Sequence, residues 1–181
     1  MKNVKHLCLF LCLALCSISQ AHTVSESWTV ESIRNKDIRA YIKQHKDYAL
    51  MVQSIYGVPA SITLAQAGIE SNWGRNNFAK TSNNHFGHHC HRGWQGESAE
   101  RIDNGKLACF RVYNSILDAY KGHGKFLTTQ RTKYRDAIGK DWKVWAMILQ
   151  RDGYAEAGHY FEMIYSIINY NRLFELDCVG V

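Results

Sequence analysis

The chain contains a single proline and neither a low-complexity tract nor an internal repeat, so no linker divides it into modules. No apolar run reaches the roughly 20 residues that a helix needs to cross a bilayer, and no stop-transfer segment follows the first residues. There is no dense Lys/Arg stripe of the kind that tracks a phosphate backbone, which removes nucleic acid from the expected partners. No HExxH pair marks a zinc-binding helix. Cysteine is scarce: Cys8, Cys12 and Cys16 cluster near the start, and only Cys90, Cys109 and Cys178 follow.

The first residues read as a secretory leader. Met1, Lys2, Asn3, Val4 and Lys5 give a basic start, Leu7 to Ile18 an apolar core of about a dozen residues, and Ser19, Gln20 and Ala21 a small-residue exit. Cleavage after Ala21 leaves roughly 160 residues, the size of one domain. A cut before Cys16 would make a lipoprotein, but Leu15 stands where that cut expects a small residue. The expected product is an exported monomer without a transmembrane anchor, acting in the periplasm, the cell wall or outside the cell. Disulfides persist there, and an odd number of cysteines leaves one thiol over. The formal charge of +6 drops by two when Lys2 and Lys5 leave with the leader. A mildly basic protein suits an anionic surface such as cell wall.

Residues 22–35 read as a lead-in segment, and the catalytic domain is expected over 36–177. From Asn35, the positions Ile38, Tyr41, Ile42, Ala49, Val52, Ile55 and Tyr56 follow helical spacing, with Gly57 as the stop. Pro59 fits the first turn of a second helix that runs through Ile62, Ala65, Gln66 and Ile69 to Glu70, with Gly74 as terminator. Ser115 and Asp118 form a capping box, Asp141 caps a helix carrying Trp142, Trp145, Ala146 and Leu149 that ends at Gly153, and Phe161, Ile164, Tyr165 and Ile168 mark a last one. Between them, Asn104-Gly105 and the alternation from Phe110 to Tyr113 predict a hairpin within Trp94–Tyr113. Five or six helices with one inserted hairpin make an α+β, predominantly helical domain, with room for a cleft between the two parts.

Glu70 is the residue with the features of a general acid. It falls at a helix end, where the negative pole of the dipole opposes ionisation by about 0.3–1 kcal/mol, and Trp73 beside it offers an apolar wall. Glycosidic oxygen leaves poorly unless protonated, so a carboxyl still protonated near neutral pH is useful. An exposed glutamate at a helix end is the plainer alternative.

The run Tyr56-Gly-Val-Pro-Ala-Ser-Ile-Thr-Leu-Ala-Gln-Ala-Gly-Ile-Glu-Ser-Asn-Trp-Gly74, followed by Asn83-Asn-His-Phe-Gly87, Cys90-His-Arg-Gly-Trp94, Cys109-Phe-Arg-Val-Tyr113 and Gly153-Tyr-Ala155, resembles the glucosaminidases of glycoside hydrolase family 73. The resemblance covers roughly residues 36–177, with its motifs in order. It implies a lysozyme-like helical fold and hydrolysis of the β-1,4 bond after N-acetylglucosamine in peptidoglycan, with Glu70 as catalytic acid. Tyr154 matches a tyrosine lining the family's active site, where it would steady the sugar or a water; core packing is the other role open to it.

The resemblance also implies a second carboxylate in the β-lobe, where Glu97, Glu100 and Asp103 are the candidates. A two-residue turn at Asn104-Gly105 pairs Asp103 with Lys106 and Glu100 with Cys109, which sets the two acids on opposite faces. Glu100 is the preferred one, because Asp103 is also explained as a turn residue. A solvated hairpin face is the alternative for all three. Trp73, Phe86 and Trp94 are candidate platforms for sugar rings, and Asn83 and Asn84 shape a turn or hold an N-acetyl group. Each aromatic has core packing as its alternative, and for Phe86 the structural role is preferred.

The cluster His85, His88, His89, Cys90 and His91 invites a metal, but neighbouring side chains cannot all converge on one tetrahedral ion, and Cys90 is expected to form a disulfide with Cys109 across the hairpin. No metal or other cofactor is expected, and this histidine-rich stretch departs from the family and points to some pH sensitivity. Peptidoglycan glycan strands are the expected partner. A lytic transglycosylase or muramidase on the same fold, and a wall-binding or assembly protein without catalysis, are the rival readings.

Overall fold

The computed structural model describes residues 36–91, 93–130, 132–154 and 158–179. Residues 1–35, over which a leader and a lead-in are expected, lie outside the described residues with Cys8, Cys12 and Cys16, as does Ala155. Six α-helices are present among the described residues: α1 (Lys36–Tyr56), α2 (Ala60–Glu70), α3 (Asn77–Ser82), α4 (Ile116–Lys125), α5 (Trp142–Arg151) and α6 (Tyr160–Tyr170). A two-stranded antiparallel sheet, β1 (Ser98–Asp103) and β2 (Lys106–Arg111), is inserted between α3 and α4. The α+β, predominantly helical class is therefore the one observed. The periodicity missed four shorter pieces: α3, a π-helical turn over Phe126–Gln130 and 3₁₀ turns over Thr132–Ala137 and Leu173–Cys178.

Helix α1 buries Ile38, Tyr41, His45, Ala49 and Val52, one stripe at helical spacing. It lays this stripe against α2 and α4. Helix α2 is different, because every residue from Ala60 to Gly68 is buried. A helix without a polar face belongs at the centre of a domain. Its N-terminus has no side-chain cap of its own. Asp177 supplies one from the far end of the chain, accepting from Ser61 N at 2.8 Å and from Ser61 Oγ at 2.6 Å.

The other ends follow the sequence. Ser115 Oγ accepts from Asp118 N, and Asp141 accepts from Lys143 N and Val144 N. Gly74 is the exception: α2 stops at Glu70, and the chain turns through Asn72, Trp73 and Gly74, all with positive φ. Ser71 ties that turn, donating from Oγ to Ala67 O and accepting from Gly74 N. The left-handed turn folds the Trp73 ring back onto Gly68, where a Cβ would stand 2.6 Å from it.

The hairpin register is Asp103↔Lys106 and Glu100↔Cys109, as the Asn-Gly turn dictates. One face of the hairpin packs on α3, with Phe110 5.5 Å from Phe78 and Arg101 lying 4.3 Å above the same ring. Cys90 and Cys109 are disulfide-bonded, with Cα atoms 5.3 Å apart, and Cys90 N donates to Cys109 O at 2.8 Å. Among the described residues Cys178 is the free thiol, and it is exposed. The bridge closes a loop of sequence separation 19, for which chain entropy gives about 3 kcal/mol. Reduction, or the paired change of Cys90 and Cys109 to serine, should lower the unfolding free energy by about that amount in urea titrations. An unchanged midpoint would show that the bridge does not stabilise the lobe.

Candidate active site

Glu70 ends α2 at a cavity of about 470 Å³. Phe86, Phe126, Tyr134 and Tyr154 give it aromatic walls, and Gly87, His88, His89, His91 and Gly153 complete it. By surface area Glu70 is exposed, yet protein crowds the carboxyl from most sides; the exposed area is the open mouth of the cavity. Burial pushes its pKa up, from the ordinary 4.5 to about 7. A carboxyl held partly protonated near neutrality, facing a pocket with aromatic walls, can give a proton to a bound oxygen.

The structure gathers only some of the expected residues around Glu70. Tyr154 lines the cavity, half-buried, with its ring 5.6 Å from that of Tyr160 and 6.4 Å from that of His123. Phe86 lines it as well, but is buried and stacked flat on His123 at 4.0 Å, so it is floor more than platform. Two expectations are corrected. Trp73 is buried in the core on Gly68, edge-on to Tyr41, and lines a separate pocket with Gly74 and His85; the left-handed turn carries it away from Glu70. Asn84 is also buried, and its amide serves the backbone: Nδ2 donates to His88 O and Arg111 O, and Oδ1 accepts from His88 N. Both amide protons are taken and the side chain is buried, away from any bound N-acetyl group.

No hairpin acid lines the Glu70 cavity. Glu100 is exposed on the hairpin, opposite Cys109. Asp103 lies on the other face, 3.3 Å from His89 Nε2. Glu97 is exposed, and its carbonyl accepts from Trp94 Nε1. Trp94 sits under the Arg111 guanidinium, 4.7 Å away, and edge-on to Tyr113. Asn83 has left-handed φ and donates from Nδ2 to Tyr113 O, so it is a turn residue.

Gly87, His88 and Tyr134 belong to the cavity, and the sequence reading did not assign them to it. For Gly87 the available signal was its place at the end of Asn83-Asn-His-Phe-Gly87, but nothing local to Tyr134 distinguishes it. Among the described residues no three His, Cys, Asp or Glu side chains form a metal-binding group. Two of the histidines serve the core: His85 Nδ1 lies 2.8 Å from Tyr41 Oη, and His45 Nδ1 donates to Tyr41 O.

The glucosaminidase family, described as mannosyl-glycoprotein endo-beta-N-acetylglucosaminidase, matches residues 46–173. The exo-glucosaminidase LytG of Bacillus subtilis is 28% identical over 158 residues, covering 78% of this chain and 54% of LytG. The peptidoglycan hydrolase FlgJ of Escherichia coli K12 is 31% identical over 144 residues, covering 73% of this chain and 46% of FlgJ. The chain thus spans about half the length of the curated relatives it matches. Among solved structures, the glycoside hydrolase domain of Salmonella typhimurium FlgJ superimposes with a TM-score of 0.65 at 27% identity, over 76% of this chain and 90% of that one.

The buried histidines have a measurable consequence. Burial lowers the pKa of His45 and His123, of His85 to about 4 and of His88 to about 3. Below pH 6.5 the unfolded chain takes up protons that the folded one refuses, so stability falls with pH, by about 1.4 kcal/mol for each unit of depression. The raised pKa of Glu70 acts in the opposite sense, favouring the fold below 4.5 and losing that contribution as pH rises through about 7. The unfolding temperature should therefore drop between pH 6.5 and 4, and more steeply in Glu70→Gln. A flat profile would mean that the histidines are protonated in the fold.

Proposed function

The chain belongs to the glucosaminidase family, and from that premise we propose that it hydrolyses the β-1,4 bond after N-acetylglucosamine in bacterial peptidoglycan, with Glu70 as general acid. The observation that carries this reading is the Glu70 carboxyl at the end of α2, raised in pKa and facing a cavity with aromatic walls. LytG and FlgJ, named for glucosaminidase and peptidoglycan hydrolase activity, support the substrate class. Glu70 protonates the glycosidic oxygen as the bond breaks, and Tyr154 steadies the sugar or the incoming water. Trp94 offers a sugar platform on the β-lobe. The unit that does this is the domain over 36–177, carried in the chain left by cleavage after Ala21, and it acts as a monomer in the periplasm, in the cell wall or outside the cell. No helix among the described residues is long and apolar enough to cross a membrane.

Glu100 is the second acid of this reading. It stands outside the Glu70 cavity, so it acts through a water between the two carboxyls or by inward movement of the hairpin. Glu100→Gln should then reduce turnover of purified peptidoglycan much more than Asp103→Asn, whose carboxylate is engaged with His89. The reverse order would assign the role to Asp103, and two silent variants would point to Glu97 or to the substrate's own acetamido group.

Glu70→Gln keeps the side chain's shape but cannot deliver a proton, so release of reducing ends should fall by about 10²–10⁴ fold while the fold survives. A substrate whose leaving oxygen is already acidic should partly rescue the variant. Mass analysis of the parent's products should show a gained water and a new reducing end at N-acetylglucosamine. Anhydro ends would identify a transglycosylase instead, and a folded Glu70→Gln protein within a few-fold of the parent would remove Glu70 from the chemistry.

A further inference from the structure

Beside the Glu70 cavity a line of buried polar side chains runs from the β-lobe to the central helix. Arg111 Nη1 lies 3.4 Å from Tyr113 Oη, which lies 2.8 Å from His88 Nδ1. His88 Nε2 is 3.2 Å from His123 Nδ1, and His123 Nε2 is 2.9 Å from Gln66 Oε1. Gln66 Nε2 donates to Tyr160 Oη at 2.9 Å. These six residues come from β2, the loops beside it, α4, α2 and α6.

The chemistry of the atoms fixes a direction. Gln66 Oε1 only accepts, so His123 carries its proton on Nε2 and its Nδ1 is bare. His88 then donates from Nε2, which leaves its Nδ1 to accept the Tyr113 hydroxyl proton, while Arg111 donates to that hydroxyl oxygen. Each donor meets one acceptor, and both histidines are neutral in a single tautomer. A second proton on His123, at Nδ1, would face the His88 Nε2 proton and break the line there.

The same histidine is held by its backbone. Asn84 accepts from His88 N and donates to His88 O, both at 2.9 Å. Gly87, the residue before it, has φ +61°, and a Cβ there would stand 3.6 Å from Glu70 Oε2. The stretch of chain that abuts the Glu70 carboxyl is therefore carried by a residue tied at both its backbone and its ring.

We infer that His88 and His123 are positioning residues: through this relay they hold the Gly87–His88 backbone against the Glu70 carboxyl and keep water from that side of it. The inference rests on Glu70 being the acid proposed above. Packing alone does not supply this function. His123 stacks on Phe86 at 4.0 Å as a phenyl ring would, but a phenyl ring cannot fix the orientation of His88. The other titratable groups around Glu70 are Tyr160 on α6, Tyr134 on the 3₁₀ turn, Tyr154 after α5, and His89 and His91 on the loop after His88.

His123→Phe keeps the stack and cuts the relay. In ¹³C NMR of glutamate-labelled protein, the Glu70 titration should move down by about half a pH unit or more, as water reaches the carboxyl. The alkaline limb of kcat/KM on purified peptidoglycan should move down with it, with KM little changed. A role confined to stability would lower the unfolding temperature and leave the titration and the limb in place, and that result would overturn the inference. Should His123→Phe fail to fold, Tyr113→Phe removes one oxygen at the far end of the relay; a downward shift there supports the inference and an unmoved titration overturns it. If the parent releases nothing from peptidoglycan, the proposed function fails, while the NMR shift still decides the relay.

Discussion

Helix α2 has no exposed face from Ala60 to Gly68, and only at its last residues does it reach solvent. A helix buried on all sides gains from apolar contact along its whole length, but it must surface somewhere, and it does so at Glu70. The end of the helix is therefore the edge of the core. That places a carboxyl where three influences meet: the negative pole of the helix, crowding by protein, and an open cavity. The turn that follows serves the same end. By folding Trp73 back onto Gly68, it seals the core behind Glu70 and leaves the front to Phe86, Tyr134 and Tyr154.

A polar group enclosed by such a core costs about 1–3 kcal/mol when unpaired, and among the described residues His45 Nε2, Thr63 Oγ1 and Trp145 Nε1 are left so, while the others around α2 find partners. Two solutions recur here. Asp177 returns from the end of the chain to cap α2, although burial raises its pKa against the hydrogen bonds that lower it. Gln66, His123, His88 and Tyr113 instead satisfy one another in a line. Both devices join residues far apart in sequence, and both hold α2 in place, one at its start and the other a turn before its end. The disulfide and the Asn84 clamp do the same for the β-lobe, joining the loop over His88–Cys90 to β2.

Much of this was legible in the residues. The spacing in α1, the caps at Ser115 and Asp141, the Asn104-Gly105 turn and its register are local rules, and local rules survive folding. The Cys90–Cys109 pairing also followed, because the hairpin brings its flanks together. Trp73 and Asn84 take the core and turn roles that stood as their alternatives. Each lies beside a motif and has the right chemistry for sugar, but three successive positive φ angles and a set of backbone partners send both inward. Neither is a periodic signal. The short α3 and the two 3₁₀ turns escaped because they are too brief to show a period.

The sequence by itself determined the helical class, the place of the hairpin and the position of Glu70 at a helix end, because these depend on residues within a few positions of one another. The tertiary structure alone decided which groups share the Glu70 cavity. Tyr134 and His88 arrive there from separate segments that no local pattern joins, Tyr154 was foreseen through the family resemblance alone, and Glu100 stays outside although its strand was correctly placed. Alternation along a strand tells which face a side chain takes, not how far that face stands from another helix. That distance is set by how α2, α3 and the lobe pack together, and packing is the sum of contacts too long-range for any stretch of sequence to contain.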